Sequence, residues 1–322
     1  MTNAKYSIEP SLSFCCKQLV TIPPKYLTSD DNIDFFKNSN FHHYMIVKSP
    51  RVFFKEITIE GTDLNYTFIS KFKGKDFIYQ ITLEDQLDNN IKPIFKYNTT
   101  KTFVQIYDDS ENLISEVDAN LLFQKLCIDT FIPEEYLPEW EILYIGKAYG
   151  QNGERTSLTR LKSHSTLQRI LAEHFDNSSF EEIKIIALEF EKDTTFLNIQ
   201  GFLNGDTPQI DIEKSFKHIE DIKKKGVSEL QKVNMIEATM IKWFEPEYND
   251  QLKNDFSNKE LKSISEAYDL DLNNLLFSIT TFNNGFKLYS KKREASMFHI
   301  GHIPLQSHDK RKDIFYFLND EK

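Results

Sequence analysis

Cysteine, glycine and proline are all scarce in this chain. Three cysteines stand among 322 residues, two adjacent (Cys15, Cys16) and one distant (Cys127), so neither an even-numbered disulfide framework nor a paired metal-ligand spacing can be drawn. A reducing cytoplasm is the expected home. Ten glycines and ten prolines exclude collagen-like, mucin-like and other low-complexity architectures, and no repeat of fixed period occurs. Long apolar runs are missing too. The patch Ser13–Val20 is short and broken by Lys17, so it gives neither a secretory leader nor anything near the roughly 20 apolar residues that cross a bilayer.

Aromatic residues are plentiful, with 27 Phe and 14 Tyr inside a 40% hydrophobic composition, which is enough to build a sizeable core. The length allows two domains or one large one. The net charge of −10 speaks against a protein that coats nucleic acid indiscriminately. Its distribution matters more. Residues 126–250 carry 14 Lys+Arg against 23 Asp+Glu, yet within them the stretch 144–169 holds Lys147, Arg155, Arg160, Lys162 and Arg169 against Glu154 alone. A local basic patch on an acidic body can attract a phosphate without making the molecule sticky.

From Tyr44 to about Asp108, β-branched and aromatic residues come in strand-length runs, with Leu64–Phe72 and Lys75–Leu83 flanking Gly74 as a hairpin. Phe103–Tyr107 adds a strand, and helical spacing begins at Glu116–Leu126. In the pair His42-His43 no third ligand accompanies the rings, and strand neighbours face opposite ways, so an ordinary structural role is expected. After Pro133 and Pro138, Trp140–Ile145 reads as a strand, Ser157–His174 as one or two helices with a Ser165/Gln168 capping box, and Ile183–Phe190 as a buried strand. Asn198–Lys225 reads as a polar, turn-rich excursion. Ser228–Phe244 is a strong helix with Ser228 and Gln231 as its starting box, stopped by Pro246. Leu261–Leu275 suggests further helix, and Phe277–Phe282 with Phe286–Ser290 around Asn283-Asn284-Gly285 suggests a hairpin. Between Lys287 and Lys312 seven basic residues face two acidic ones; such a run is usually a solvated face, with nucleic-acid contact as the alternative. The fold class expected is α+β. It divides into a mostly antiparallel β region over 1–125, a central unit over 126–250, and a C-terminal extension of helix plus β-hairpin over 251–322.

The helix Ser228–Phe244 contains an anomaly. Its apolar stripe runs Leu230, Val233, Met240 or Ile241, and Phe244, and Glu237 falls inside that stripe. A carboxylate turned inward requires a cation beside it, either a metal ion or a lysine or arginine. A second group gathers around Tyr144-Ile145-Gly146-Lys147, followed by Arg160 and His164 four residues apart, a set suited to an anion. A phosphodiester under attack needs a proton acceptor for water and cations for the developing charge, and often a divalent metal.

In this order, Tyr144-Ile145-Gly146, Arg160 with His164, Glu237, and then Pro246-Glu247-Tyr248-Asn249 resemble the GIY-YIG nuclease superfamily over residues 126–250. The stretch Tyr144–Ala148 is similar to that of the bacterial excision-repair members, in which a lysine follows the glycine. The family's other triplet, Gly-Ile-Tyr, is not present ahead of Tyr144, where the chain reads Ile132-Pro133-Glu134-Glu135-Tyr136. Tyr136 is the available tyrosine in that zone. The resemblance implies a small α/β domain with a three-stranded antiparallel sheet flanked by helices, hydrolysing nucleic-acid phosphodiesters, DNA ahead of RNA, with one Mg²⁺ or Mn²⁺. Glu237 would hold the metal, Arg160 would stabilise the phosphorane-like charge, and Tyr144 would position or deprotonate the water with help from Lys147 or His164. Asn249 would support the site. The N-terminal region is then a candidate surface for a protein partner. Two rivals stand beside this reading. One is a degenerate member that binds nucleic acid or protein as a module. The other is a phosphoryl-transfer enzyme acting outside nucleic acids, for which no nucleotide-binding glycine loop is present.

Overall fold

The computed structural model describes residues 11–27, 39–87, 93–149, 161, 164–175, 180–191, 195–196, 212–249, 272 and 274–304. Strands and helices both occur, and the class is α+β. No helix among these residues is long and apolar enough to cross a membrane.

The organising element is a nine-stranded mixed sheet. It contains β1 (Ser11–Ile22), β2 (His43–Pro50), β9 (Glu139–Lys147), β10 (Glu181–Phe190), β11 (Thr195–Phe196), β12 (Asn274–Thr280), β13 (Lys287–Ser290), β14 (Arg293–Ser296) and β15 (Phe298–Pro304). The order is β14-β13-β9-β2-β10-β1-β12-β15, with β11 pairing β1. Pairing is antiparallel except for β1 with β12 and β13 with β9, which are parallel. The small three-stranded sheet expected inside 126–250 is therefore not what forms. The antiparallel trio β9-β2-β10 borrows its middle strand from the N-terminal segment and continues on both sides into the larger sheet. All three segments of the sequence division contribute strands to it.

Between β2 and β9, which are hydrogen-bonded partners, the chain makes a long detour. It forms β3 (Val52–Glu60), β4 (Asp63–Phe72) and β5 (Lys75–Leu83) as one antiparallel sheet. A second is made of β6 (Ile94–Tyr97), β7 (Phe103–Tyr107) and β8 (Leu113–Asp118). Helix α1 (Ala119–Asp129) follows, and its Phe123, Leu126 and Cys127 fill a shared core with Phe54, Tyr66 and Phe68. The β4–β5 hairpin matches the expectation, because Gly74 supplies the left-handed turn at φ 76°. Helix α1 starts later than the periodicity suggested. Asp118 accepts from the N–H groups of Asn120 and Leu121 and so fixes the start.

Two helices cover opposite faces of the large sheet. On one face lies α4 (Glu229–Phe244), whose Met235, Ile236, Met240, Ile241 and Phe244 pack with Met45, Val47, Trp140, Ile142 and Ile145. Its predicted Ser228/Gln231 capping box is present, and Glu245 in the left-handed region at φ 46° closes it ahead of Pro246. Ile222 of α3 (Ile212–Lys225) joins this layer, so the later part of the expected turn-rich excursion is helical. Its buried positions, Ser215 and Ile222, carry one apolar side chain between them, so charge dominates the pattern there. On the other face α2 (Ser165–Phe175) sets Leu167 and Ile170 against Tyr44, Ile46, Leu143, Tyr144 and Ile185.

One more expectation is revised. Strands β12 and β13 do not pair with each other as a hairpin: β12 lies between β1 and β15, and β13 between β9 and β14. The intervening Gly285, at φ 70°, serves instead to let the turn approach α1, where a Cβ would meet that of Cys127 at 2.9 Å. In the basic run each of the described cations has a partner. Lys287 pairs with Glu139, Lys291 with Glu247 and Lys292 with Glu245, while the Arg293 guanidinium sits 3.4 Å from the Trp243 ring centre. Lys310, Arg311, Lys312 and the segment expected as helix before Leu272 lie outside the described residues.

Candidate functional site

The geometry begins with an irregularity in β9. Opposite β2, Ile46 faces Tyr144 while Val47 faces Ile142, so Leu143 is one residue too many. Such a bulge exchanges the faces of everything beyond it. Trp140 and Ile142 point to the α4 side, and strict alternation would send Tyr144 after them. The bulge sends Tyr144 to the α2 side and Ile145 to the α4 side.

The segment Tyr248–Asn249 secures this bulge. The Tyr248 N–H donates to the Leu143 carbonyl at 3.0 Å. The Asn249 side chain then behaves like a neighbouring strand: its Oδ1 accepts from Ile145 N–H and its Nδ2 donates to the Ile145 carbonyl, both at 2.8 Å. Strand β13 pairs with β9 only over Glu139–Glu141, so Asn249 completes the edge that β13 leaves. The amide is suited to this because it carries one donor and one acceptor side by side. The Tyr248 hydroxyl is anchored on Glu173 at 2.5 Å, and burial together with that carboxylate pushes its pKa up to about 12.

On the α2 face the bulge brings Tyr144 to a partner the linear motif lacked. Tyr44 of β2 stands opposite Gly146, its ring centre 6.0 Å from that of Tyr144. A Cβ on Gly146 would lie 2.6 Å from the Tyr44 hydroxyl oxygen and 2.7 Å from the Tyr144 ring, so the glycine is required by the two rings that cross over it. His164 completes a triangle, 5.6 Å from Tyr44 and 5.1 Å from Tyr144 between ring centres. All three are buried. His164, rather than Ser165, caps α2: its Nδ1 accepts from the Leu167 N–H at 3.2 Å, which places the proton of the neutral ring on Nε2. Tyr136, the tyrosine available in the expected zone, is 56% exposed in a short 3₁₀ turn and stands outside this cluster.

On the α4 face Glu237 is turned inward, 7% exposed, as its place in the apolar stripe required. Its cation is Lys147, whose Nζ donates to Glu237 Oε2 at 2.6 Å. Beside Lys147 across the strand pair is His43. Its Nε2 is 2.9 Å from the Val233 carbonyl oxygen, which can only accept, so the ring donates. Burial drives the His43 pKa down to about 3, with adjacent Lys147 and His42 adding to the effect and the carbonyl opposing it. His42 faces the other way and donates from Nδ1 to the Ala148 carbonyl at 3.2 Å.

The structure thus brings the site residues together as two groups. Tyr144 and His164 share the α2 face with Tyr44, Lys147 and Glu237 share the α4 face with His43, and Asn249 ties down the strand that carries both Tyr144 and Lys147. Arg160, Arg155 and Lys162 lie outside the described residues; Arg169 pairs with Glu173 along α2. Among the described residues no group of three or more His, Cys, Asp or Glu side chains could enclose a metal ion. Glu237 is a single carboxylate whose Oε2 already takes the buried Lys147 ammonium, so a divalent ion would have to displace that lysine; Mg²⁺ or Mn²⁺, which keep several waters, would ask less of the protein there than Zn²⁺ or Ca²⁺.

A separate cleft of about 640 Å³ opens at the other end of the sheet, lined by Lys25, Lys48, Arg51, Asp118, Glu181 and Glu182 among others. Its charges are mutually paired, Lys25 with Asp118, Lys48 with Glu181 and Arg51 with Glu182. Compared with protein-family models, with curated proteins and with solved structures, the chain matches none.

Proposed function

We propose that the chain is a metal-dependent endonuclease of GIY-YIG type, acting on DNA ahead of RNA. The observation that carries this reading is the placement of Tyr44 beside Tyr144 and over Gly146. The tyrosine pair that the motif calls for is supplied by the strand neighbouring β9, and the 88 residues between β2 and β9 are an insertion into that hairpin. The GIY-YIG-like unit is then the β9-β2-β10 trio with α2 and α4, and β3–β8 with α1 form an inserted module available to a protein partner.

In this reading Tyr144 and Tyr44 present phenolic oxygens that position the attacking water and accept its proton. His164 orients the pair, with its Nε2–H directed by the cap at Nδ1. Lys147 and Arg160 would neutralise charge on the phosphate, and Glu237 would hold a divalent ion, Mg²⁺ or Mn²⁺, in place of the Lys147 ammonium, the ion supplying Lewis-acid chemistry when bound. Asn249 keeps β9 in register.

The placement of Lys147 and Glu237 on the face opposite the tyrosines favours one alternative, a degenerate module that binds nucleic acid or protein without cutting. Incubation of single-stranded, duplex and branched DNA and RNA with Mg²⁺ or Mn²⁺ separates the two. Wild type should cleave, and Glu237→Gln, Arg160→Ala, Tyr144→Phe and Tyr44→Phe should each lose on the order of 10²-fold or more in rate, the scale on which a positioned acid–base or charge-stabilising group acts. Salt-sensitive binding with no metal-dependent product would establish the module instead.

A further inference from the structure

Among the described residues, β5 (Lys75–Leu83) is the one long, regular strand at the edge of a sheet. It pairs with β4 residue for residue, from Lys75 opposite Phe72 to Leu83 opposite Leu64, with no register shift. Along its other side no described strand pairs with it. The remaining edges are blunted. Strands β6 and β14 have four residues each, and β8 pairs with β7 through a shift at Tyr107. Strand β3 bulges between Phe54 and Glu56 and gives its Phe54 N–H to the Lys101 carbonyl, and β15 ends in Pro304. Short, bulged or proline-ended edges resist pairing with another chain, whereas the nine regular residues of β5 offer one a row of backbone N–H and C=O groups.

The side chains of β5 do not protect it either. Between Asp76 and Glu84 the chain reads Phe77-Ile78-Tyr79-Gln80-Ile81-Thr82-Leu83, without a charge. On the outer face Ile78 is 55% exposed and ends a row that runs through Ile69 of β4 to Phe53 of β3. On the inner face the Phe77 and Tyr79 rings stack with centres 6.5 Å apart. The two ends of the strand differ in sign. The β4–β5 turn carries Lys71, Lys73 and Lys75 beside Asp76, and the far end of the sheet carries Glu60, Asp63, Glu84 and Asp85. Lys73 is engaged by Glu139, and Lys71 approaches Asp76 at 3.9 Å. Lys75 and Glu84 are exposed, and neither side chain makes an ion pair among the described residues. An edge that is basic at one end and acidic at the other is complementary to itself when run antiparallel.

We propose that β5 is a self-association edge whose occupant is β5 of a second copy of this chain, antiparallel about a two-fold axis at Ile78. Such an axis gives an isologous contact in which one patch serves both copies. Ile78 then faces Ile78 of the second copy, and the apolar row continues across a six-stranded sheet with three side chains from each copy. Phe77 faces Tyr79 of the second copy, a cross-strand aromatic pair of the kind that stabilises sheets. Each lysine-bearing turn lies beside Glu84 and Asp85 of the other copy. An extended segment of an unrelated protein would satisfy the backbone equally, but a second copy also answers the reversed charges and the exposed isoleucine. The contact is independent of the chemistry proposed for the α2 and α4 faces.

The test uses the full-length chain in sedimentation velocity from low micromolar to sub-millimolar concentration. Wild type should show a concentration-dependent dimer. Ile78→Lys sets two ammonium groups face to face on the axis and should weaken association at least about ten-fold, with circular dichroism unchanged because the position is exposed. If Ile78→Lys does not fold, Lys75→Glu takes its place; it should weaken association, and adding Glu84→Lys to the same chain should restore it. Ile78→Cys should yield a disulfide-linked dimer under mild oxidation, since opposed Cα atoms in an antiparallel pair lie about 4.5–5.5 Å apart, within the span of a disulfide. Gln80→Cys, about 13 Å from its mate in this register, should not. A cross-link at Gln80→Cys with none at Ile78→Cys would overturn the axis, and a dimer that forms as strongly in Ile78→Lys would overturn the edge. A wild type that stays monomeric throughout would overturn the second copy and leave β5 to a strand of different sequence.

Discussion

On one side of the β2–β9 pair stand three aromatic rings, Tyr44, Tyr144 and His164. On the other stand an imidazole, an ammonium and a carboxylate, from His43, Lys147 and Glu237. Two residues of each group come from the same two strands, β2 and β9, and the third from the helical layer on that side, so pleat and bulge separate the groups. The aromatic side is held by ring packing over a missing side chain at Gly146. The charged side is held by an ion pair whose side chains are about one-tenth exposed. The first depends on the fit of its rings around that glycine. The second tolerates no loss of a single partner, because whichever ion remains is stranded away from water.

That asymmetry can be broken most forcefully at Glu237. Glu237→Leu leaves Lys147 buried without its counter-ion and should cost about 3–5 kcal/mol in urea denaturation, whereas the double replacement Glu237→Leu with Lys147→Met should recover much of it. A double variant no more stable than the single one would show that the pair is not the source of the sensitivity.

A smaller effect is expected on the aromatic side. Gly146→Ala pushes a methyl into the Tyr44 and Tyr144 rings and should cost about 1–3 kcal/mol, as overpacking does. The cost should shrink when Tyr44→Ala is made together with it, giving a non-zero coupling in a double-mutant cycle. Additive effects would mean that the two residues do not touch in solution.

The smallest difference sharpens the comparison by pH. The folded pKa of His43 is lowered to about 3, and that of His299 is also lowered by burial. The unfolded chain therefore takes up protons first as pH falls below the ordinary histidine value of about 6.5. Stability present above that value should decline on acidification toward the folded pKa. For His43 the slope is about 1.4 kcal/mol per pH unit once the unfolded imidazole is protonated. Thermal unfolding of His43→Gln between pH 6.5 and 4.5 should fall less steeply than that of wild type; parallel curves would refute the assignment.

Much of the local structure was legible in the sequence because its signals are local. The β4–β5 hairpin, Phe103–Tyr107, the buried run Ile183–Phe190 and the capped helix at Ser228 all follow from periodicity and end signals. The inward Glu237 was readable for the same reason. Tyr44 was not, because its pairing with β9 spans the whole inserted module and no short-range pattern encodes it. One sign was available: Tyr44–Val47 is continuously apolar, as suits a central strand buried on both faces, whereas β4 and β5 alternate. The β12–β13 misreading has the opposite origin, a turn signal at Asn283-Asn284-Gly285 that is real but joins two strands of different neighbours. The division at residue 125 likewise followed a change in periodicity, while strand pairing crosses it.

Leu143 carries more than its side chain. Because it is the residue without a counterpart on β2, deleting it would leave β9 in plain alternation, with Tyr144 and Gly146 still toward α2 and Lys147 still toward α4. What would be lost is the displaced carbonyl on which the Tyr248 N–H docks. The supernumerary residue thus serves the attachment of the Tyr248–Asn249 segment, and homologous chains should keep or lose the two together.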